Sequence, residues 1–377
     1  VVVAGIASFV VGRVFAVVEL FVIGAGFVAT AVVAVLYVQV RRPRLEASRW
    51  IHPSMLAAGD TGRVDIHLHH RGQFPSARFV LEEGISRSNG VGRVARLPAG
   101  PLARGSRSST GYQLPTASRG LIEIGPLVAE LRDPLGVAAA TTTVAGVDEV
   151  VVTPRAMLLD VPRLGHGALG TALLDAARRL GPGEFHGLRE YVDGDEPRSI
   201  HWRASARTES LVVKQHTVEG LQRCTVVFEA TIGAHLDAEA FERGVTAAAS
   251  LVNTATHAGL ATRFVTNGGI DLRGPDVVAT TLRTLARVGP SDVPLAALDR
   301  DTGDGLGLLV VVTGSRRTAG WAAAQGVSDP TVTTVAVLTG GATGSALDVN
   351  AASEEDFLQS WASLVGRGRL DLVGEPA

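Results

Sequence analysis

The chain opens on two apolar runs and only then begins to alternate. Val1 to Val18 is apolar apart from Arg13, Glu19 interrupts, and Leu20 to Val38 gives nineteen residues without a charge. That second run is long enough for a helix to cross a bilayer, and Tyr37 followed by Arg41, Arg42 and Arg44 supplies an interfacial aromatic and a basic flank. A signal peptide is disfavoured: no small-residue cleavage site follows Val38, and the basic cluster lies on the wrong side. The pattern predicts a transmembrane anchor over residues 1–40, two spans in a tight hairpin. The arginines place everything after Arg41 in the cytoplasm if they follow the positive-inside tendency.

From Leu45 the text changes to short alternating runs punctuated by Gly, Ser and Pro. In Arg63 to His69, Val64, Ile66 and Leu68 alternate with Asp65, His67 and His69; Leu121 to Ile124 and Val147 to Thr153 also read as strands. A β-sandwich over residues 45–155 is the expectation. Asp65, His67 and His69 share one face at the strand period, a conceivable metal set, but the solvent side of a half-buried strand explains them more simply.

Residues 156–219 hold a connector and a charged motif. Gly165-His166-Gly167-Ala168-Leu169-Gly170 spells G-x-G-x-x-G before a helical run, Thr171 to Leu180. A dinucleotide fingerprint needs a buried strand immediately before the first glycine, and Val161-Pro162-Arg163-Leu164 is short and broken by proline. From Gln222 to Val365 continuous apolar runs alternate with helical ones. Strands are expected at 225–229, 261–266, 307–313 and 331–338, with helices at 237–257, 276–288 and 354–365. Such a pattern predicts a mostly parallel sheet covered on both faces, an α/β domain over residues 220–377.

Composition narrows the functional classes. The 377 residues suit two or three domains, and the 46% hydrophobic content has its excess in the first forty positions. Cys224 is the single cysteine, which excludes an intramolecular disulfide and a C-x-x-C site; Lys214 is the single lysine and sits in no phosphate-binding loop. There is no G-x-S-x-G elbow and no H-E-x-x-H pair. The chain is therefore not expected to hydrolyse ATP or to be an enzyme of those classes, and no cofactor is implied.

The densest stretch runs from Gly183 to Glu219. Of the thirty-six positions from Glu184, seven are acids and five are bases, a near balance suited to internal pairing rather than to tracking phosphates, so nucleic acid is not an expected partner. Leu188 to Val192 reads as a strand and Asp193-Gly194-Asp195 as a turn. Asp195 is placed to cap a helix from Glu196 to Thr208, and Leu211 to Val218 reads as a second strand. The residues best suited to chemistry are His201 as a general base with Asp195 or Glu190, and Ser205. A hydrogen-bonded histidine in an ion-pair network, with Arg198, Arg203 and Arg207 facing Glu190, Asp193 and Asp195, is the more economical reading.

The string G-E-F-x-G-L-R-E-Y-x-x-G-D-x-x-R-x-I-H-W-x-x-S-A-R is filled by Gly183 to Arg207, with Gly183, Glu184, Phe185, Arg189, Glu190, Tyr191, Gly194, Asp195, Arg198, His201, Trp202, Ser205 and Arg207 as its distinctive positions. Arg119-Gly120, Asp133-Pro134-Leu135-Gly136 and Val151 to Arg155 accompany it. This text resembles the bacterial membrane proteins of the domain-of-unknown-function fifty-eight family, usually found beside a MoxR-type AAA+ ATPase. The resemblance implies a von Willebrand factor type A-like domain at the C-terminal end. In metal-binding members of that fold the first strand ends in D-x-S-x-S. Here Glu229-Ala230-Thr231-Ile232-Gly233 keeps an acid and a hydroxyl and lacks the final serine, and Thr313-Gly314-Ser315 carries no aspartate, so Mg²⁺ should bind weakly or not at all. The expectation is a membrane adaptor or scaffold whose partners are that ATPase, neighbouring membrane proteins and the lipid bilayer. An enzyme or ligand-binding protein with its site around His201 is the alternative, and a metal-dependent binding module the third.

Overall fold

A computed structural model describes residues 2–53, 55–87, 92–180, 185–192, 200–207, 210–216, 220–299, 305–326, 329–341 and 343–366. The chain divides into two compact units, Val1–Thr153 and Pro154–Ala377.

Unit 1 begins with the helices α1 (Val2–Val14) and α2 (Val18–Arg41). Among the described residues only α2 is long and apolar enough to cross a membrane. The two helices pack as a pair because glycines let their backbones approach: a Cβ on Gly24 would sit 2.5 Å from the Phe9 nitrogen, and one on Gly12 would sit 2.5 Å from the Phe21 nitrogen. The rings of Phe9 and Phe21 meet with centroids 4.5 Å apart. Away from this seam the large apolar side chains point outward; Val33 is 64% exposed and Leu36 58%.

The strands β1 (Leu45–His52), β2 (Leu56–Ala57), β3 (Gly62–His70), β4 (Phe79–Arg87), β5 (Arg93–Ala99), β6 (Arg107–Leu114), β7 (Gly120–Arg132), β8 (Ala139–Ala145) and β9 (Asp148–Thr153) follow. They form a three-stranded antiparallel sheet β1-β3-β6 and a larger, mostly antiparallel sheet β2-β9-β7-β4-β5 with β8 on β7. The alternation of β3 is realised: Val64, Ile66 and Leu68 are buried in one core with Leu81, Ile122, Ile124 and Leu131, while His67 faces solvent. Asp65 Oδ1 accepts from Arg63 Nε at 2.7 Å, and among the described residues no group of three His, Cys, Asp or Glu is gathered for a metal. One buried ion pair crosses between the sheets: Arg49 Nε donates to Glu83 Oε1 at 3.0 Å, with both side chains almost wholly buried. Val38, in the last turn of α2, is 2% exposed and belongs to the same core.

Unit 2 contains α3 (Gly167–Leu180), β10 (Phe185–Glu190), α4 (Trp202–Ser205), β11 (Val212–His216), β12 (Leu221–Phe228), α5 (Ala238–His257), β13 (Ala261–Thr266), β14 (Ile270–Arg273) and α6 (Val277–Arg287). Then come β15 (Leu306–Thr313), α7 (Ala319–Gln325), β16 (Val332–Leu338), β17 (Asp348–Asn350) and α8 (Glu354–Leu364). The large sheet has the order β14-β13-β12-β15-β16-β17, parallel except for β14. Its strands are apolar on both sides because both sides are covered. Val226, Phe228, Val310 and Val312 pack with α5, α6 and α8 on one face, and Val227, Val311 and Leu338 pack with Trp321 of α7 on the other. Every residue of β15 is buried.

The strands and helices expected here from the sequence are present within a few residues. The short edge strands β14 and β17 and the helix α7 were not anticipated. The G-x-G-x-x-G text has no strand immediately before it, and two of its three glycines are explained by packing. Gly170 lies against the Arg163 backbone and Gly167, at φ +65°, against the backbone of Val365 and Gly366, where no side chain would fit.

Candidate functional site

Two places carry the residues that could do chemistry. The first is the charged motif. β10 and β11 pair antiparallel, with Leu188 opposite Lys214 and Glu190 opposite Val212. The connection folds back on this ribbon. The His201 N–H donates to the Val212 carbonyl at 2.7 Å, and Ile200 bridges to Val213. The helix that follows is a single turn, α4, capped by His201, whose Nδ1 accepts from the Ala204 N–H at 3.0 Å. The sequence pointed to a cap at Asp195 and a helix from Glu196 to Thr208; the described part, from Ile200, turns helical only at Trp202 and stops at Ser205. The reason is local. The His201 side chain satisfies the Ala204 N–H, and the backbone just before α4 is drawn to β11 through the His201 N–H.

Ser205 is similarly committed, its Oγ accepting from the Val212 N–H at 2.8 Å. Glu190 Oε1 accepts from the Ser210 hydroxyl at 3.2 Å, and the Tyr191 N–H donates to the Leu211 carbonyl at 2.8 Å. His201 and Ser205 thus each make hydrogen bonds to backbone, and neither is joined to the other through its side chain. Arg203 and Arg207 are exposed, and their expected partners Asp193 and Asp195 lie outside the described residues. Trp202 is 65% exposed and presents its ring to solvent. Gly183, Glu184, Asp193, Gly194, Asp195 and Arg198 lie outside the described residues, as do the side chains of Phe185 and Arg189.

The second place is the carboxyl edge of the large sheet. The chain leaves β12 toward β13 on one side and later returns to β15 on the other, so the topology switches between β12 and β15. Parallel α/β sheets place ligands outside this point. Glu229 and Thr231 follow β12 there. The Glu229 side chain, 1% exposed, is fully engaged by the protein itself. Its Oε2 accepts from the Thr313 hydroxyl at 2.7 Å and its Oε1 from the Gly320 N–H at 2.8 Å. The Thr231 hydroxyl accepts from Asn267 Nδ2 at 2.8 Å, and Asn267 Oδ1 accepts from the Ala230 N–H at 2.7 Å.

His235 completes the knot. Its Nε2 lies 2.7 Å from the Glu229 carbonyl and its Nδ1 2.8 Å from the Thr339 hydroxyl, which fits a neutral ring donating from Nε2 and accepting at Nδ1. Burial pushes its pKa below the ordinary value, against a smaller opposing pull from Glu229. Asn267, His235, Thr339 and Gly320 were not singled out from the sequence. The signal that could have found Asn267 and Thr339 is that each central strand ends its apolar run on a polar residue: Glu229, Thr266-Asn267, Thr313 and Thr339. A divalent cation at this edge would have to displace protein donors from both oxygens of Glu229, so these residues do not fit one. Cys224, the remaining nucleophile, is buried within β12, and burial pushes its thiol up to about 12.

Residues 187–288, from β10 to the end of α6, match the family described as protein of unknown function DUF58. No curated protein matches the chain. Among solved structures, a β-glucosidase from Listeria innocua is 13% identical, covering 30% of this chain and 16% of its own, with a TM-score of 0.22. The alkylpurine DNA glycosylase AlkC of Pseudomonas fluorescens is 14% identical, covering 30% of this chain and 31% of its own at a TM-score of 0.22. A CARDB domain from Pyrococcus furiosus is 13% identical, covering 30% and 89% at a TM-score of 0.21. Likenesses this low carry no argument.

Proposed function

From the premise that residues 187–288 are a DUF58-family domain, we propose that this chain is a membrane-anchored, cytoplasm-facing adaptor working with a MoxR-type AAA+ ATPase on a client complex. In this reading α1 and α2 are a two-span anchor, the paired sheets of unit 1 a β-sandwich, and the large sheet of unit 2 a von Willebrand factor type A-like domain that docks protein without metal.

One observation carries the docking role. The edge of the sheet where a ligand would bind has its polar groups closed on one another, yet Ile232, Leu236 and Val293 on the loops around it are 64%, 83% and 49% exposed. A closed polar centre ringed by exposed apolar side chains suits a protein surface better than a small molecule. The reading of the charged motif as a catalytic site has less support, because His201 spends its Nδ1 on the turn it caps and Ser205 its hydroxyl on the Val212 backbone of β11.

The test is a pull-down of the tagged ATPase by the full chain, by the chain lacking residues 220–377, and by Leu236→Asp, in each nucleotide state. Binding near a micromolar dissociation constant, about −8 kcal/mol, is expected for such a contact. It should be lost on deletion and weakened by the aspartate, with no ATP turnover by the adaptor alone. Retention after the deletion would move the contact to unit 1 or the motif, and no association in any nucleotide state would sink the model.

A further inference from the structure

The end of unit 1 nearest α2 gathers residues far apart in sequence. The Arg71 N–H donates to the Arg44 carbonyl at 2.8 Å, Arg41 Nη1 donates to the Pro75 carbonyl at 3.0 Å, and the Gly105 N–H donates to the His70 carbonyl at 3.0 Å. The loops at 71–78 and 100–106 therefore stand beside the segment leaving the helix. The turn at 133–138 stands there too. Arg42 Nη2 meets the Thr141 carbonyl at 2.9 Å, while Arg49, further down β1, meets the Gly146 carbonyl at 3.2 Å. Hence β8 runs away from α2 alongside β1, and the turn that precedes it lies at the helix end. Since Val38 is buried in the core of this unit, the rim rises past the basic flank to the last turn of the apolar run.

Two apolar side chains crown this rim, Phe74 at 60% exposed and Leu135 at 71%. Exposed arginines surround them: Arg71, Arg78, Arg104, Arg107 and Arg132, beside the Arg41, Arg42 and Arg44 of the helix end. The acids nearby are engaged. Glu46 pairs with Arg71 at 2.7 Å and Glu130 with Arg132 at 2.7 Å. Asp133 accepts from the N–H groups of Leu135 and Ala138 to hold its own turn.

We propose that this rim docks on anionic phospholipid headgroups, with Phe74 and Leu135 entering the interfacial layer. The inference rests on the reading of α2 as a membrane span. Apolar tips flanked by cations are the chemistry of interfacial insertion, and each arginine near an anionic surface favours docking about fivefold. A phosphate-tracking surface for nucleic acid would have no use for the two apolar tips, nor for their place level with the end of an apolar helix.

The test uses the full chain in vesicles, with a fluorophore on Phe74→Cys or Leu135→Cys; Cys224 is buried and stays unlabelled. Lipid-borne nitroxides, shallow or deep, report the depth. Ala117→Cys, exposed at the opposite end of the unit, is the control, and Val33→Cys on α2 reports the span. In vesicles containing phosphatidylglycerol, shallow quenching should be strong at 74 and 135 and absent at 117. It should fall in pure phosphatidylcholine, and in Arg78→Gln/Arg104→Gln the docked-to-undocked ratio should drop about twenty-five-fold. Quenching at 74 and 135 no stronger than at 117, or equal with neutral and anionic lipid, overturns the proposal. If Val33 is quenched by the deep nitroxide while the rim is not, the rim inference alone fails. If Val33 is not quenched, the span reading falls and takes this inference with it.

Discussion

Replacing Glu229 tests whether the carboxyl edge of the large sheet is a self-contained knot or a vacated cation site. In Glu229→Ala the Gly320 N–H, which donates to Oε1 at 2.8 Å, is left buried without an acceptor, at a cost of about 1–3 kcal/mol. Thr313 suffers less, because its hydroxyl lies 2.8 Å from that of Thr318 and can turn toward it. The vacated side-chain volume, on the order of 50 Å³, adds about 1 kcal/mol at ~24 cal/mol per Å³. Together these give about 2–4 kcal/mol, or roughly 4–16 °C for a unit of this size. Glu229→Gln should cost about 0–1 kcal/mol. Its amide oxygen can accept from Gly320 and its NH₂ can donate to Thr313, whose own hydrogen turns to Thr318. Thermal melts of the parent and both variants, with Mg²⁺ and with chelator, make the measurement. A resident metal at a hundredfold excess over its dissociation constant would stabilise the parent by about 2.7 kcal/mol and Glu229→Gln by much less. Melts that coincide with and without Mg²⁺ in all three proteins are expected. An upward shift of several degrees in the parent alone, or a Glu229→Ala variant as stable as the parent, would refute the reasoning.

Three further outcomes can be checked. A fluorescent protein fused after Ala377 should shine and alkaline phosphatase fused there should be inactive, since Arg41, Arg42 and Arg44 disfavour translocation; the converse overturns the cytoplasmic orientation. Gly24→Val should force α1 and α2 apart, costing about 1–3 kcal/mol, and abolish a disulfide between Phe9→Cys and Phe21→Cys; an unchanged cross-link would show that the helices do not meet at that glycine. Because burial lowers the pKa of His235 in the folded state, the unfolded chain binds the extra proton first, so stability is held above about pH 6.5 and falls as the pH drops below it. A melting scan from neutral to acidic pH should be flatter in His235→Gln than in the parent, and an identical slope would count against a neutral, buried His235.

What the sequence disclosed followed from how local each signal is. The strands β12, β13, β15 and β16 were legible because burial on both faces leaves an uninterrupted apolar run, and α5 because its apolar stripe continues over five turns. β3 was legible from its strict alternation. By contrast β14 and β17 are three or four residues long, too short to show a period, and the small alanines of α7 give its apolar face little contrast. The buried pair of Arg49 and Glu83 looks in the sequence like two surface charges, since only the stacking of two sheets brings them together. At the candidate site the acid and hydroxyl of Glu229 and Thr231 were visible in one strand end. Their partners Thr313 and Gly320 lie 84 and 91 residues from Glu229, where no local pattern connects them. Pro197 and the charges beside it read as the start of one unbroken helix to Thr208, whereas among the described residues 200–207 only Trp202–Ser205 is helical, with His201 as its cap.

The burial of Val38 has a mechanical meaning. A linker between a membrane helix and a folded domain normally acts as a tether, taking up slack and letting the domain swivel. Here the last helical turn is itself part of the domain's core, and Arg41 and Arg42 clamp it to the Pro75, Thr141 and Thr142 backbone and side chains on two sides. Such a junction behaves as a bracket. A pull or twist applied to unit 1 would pass straight into α2, and with α2 in a bilayer, as proposed, the domain would present one fixed side to anything approaching along the membrane plane.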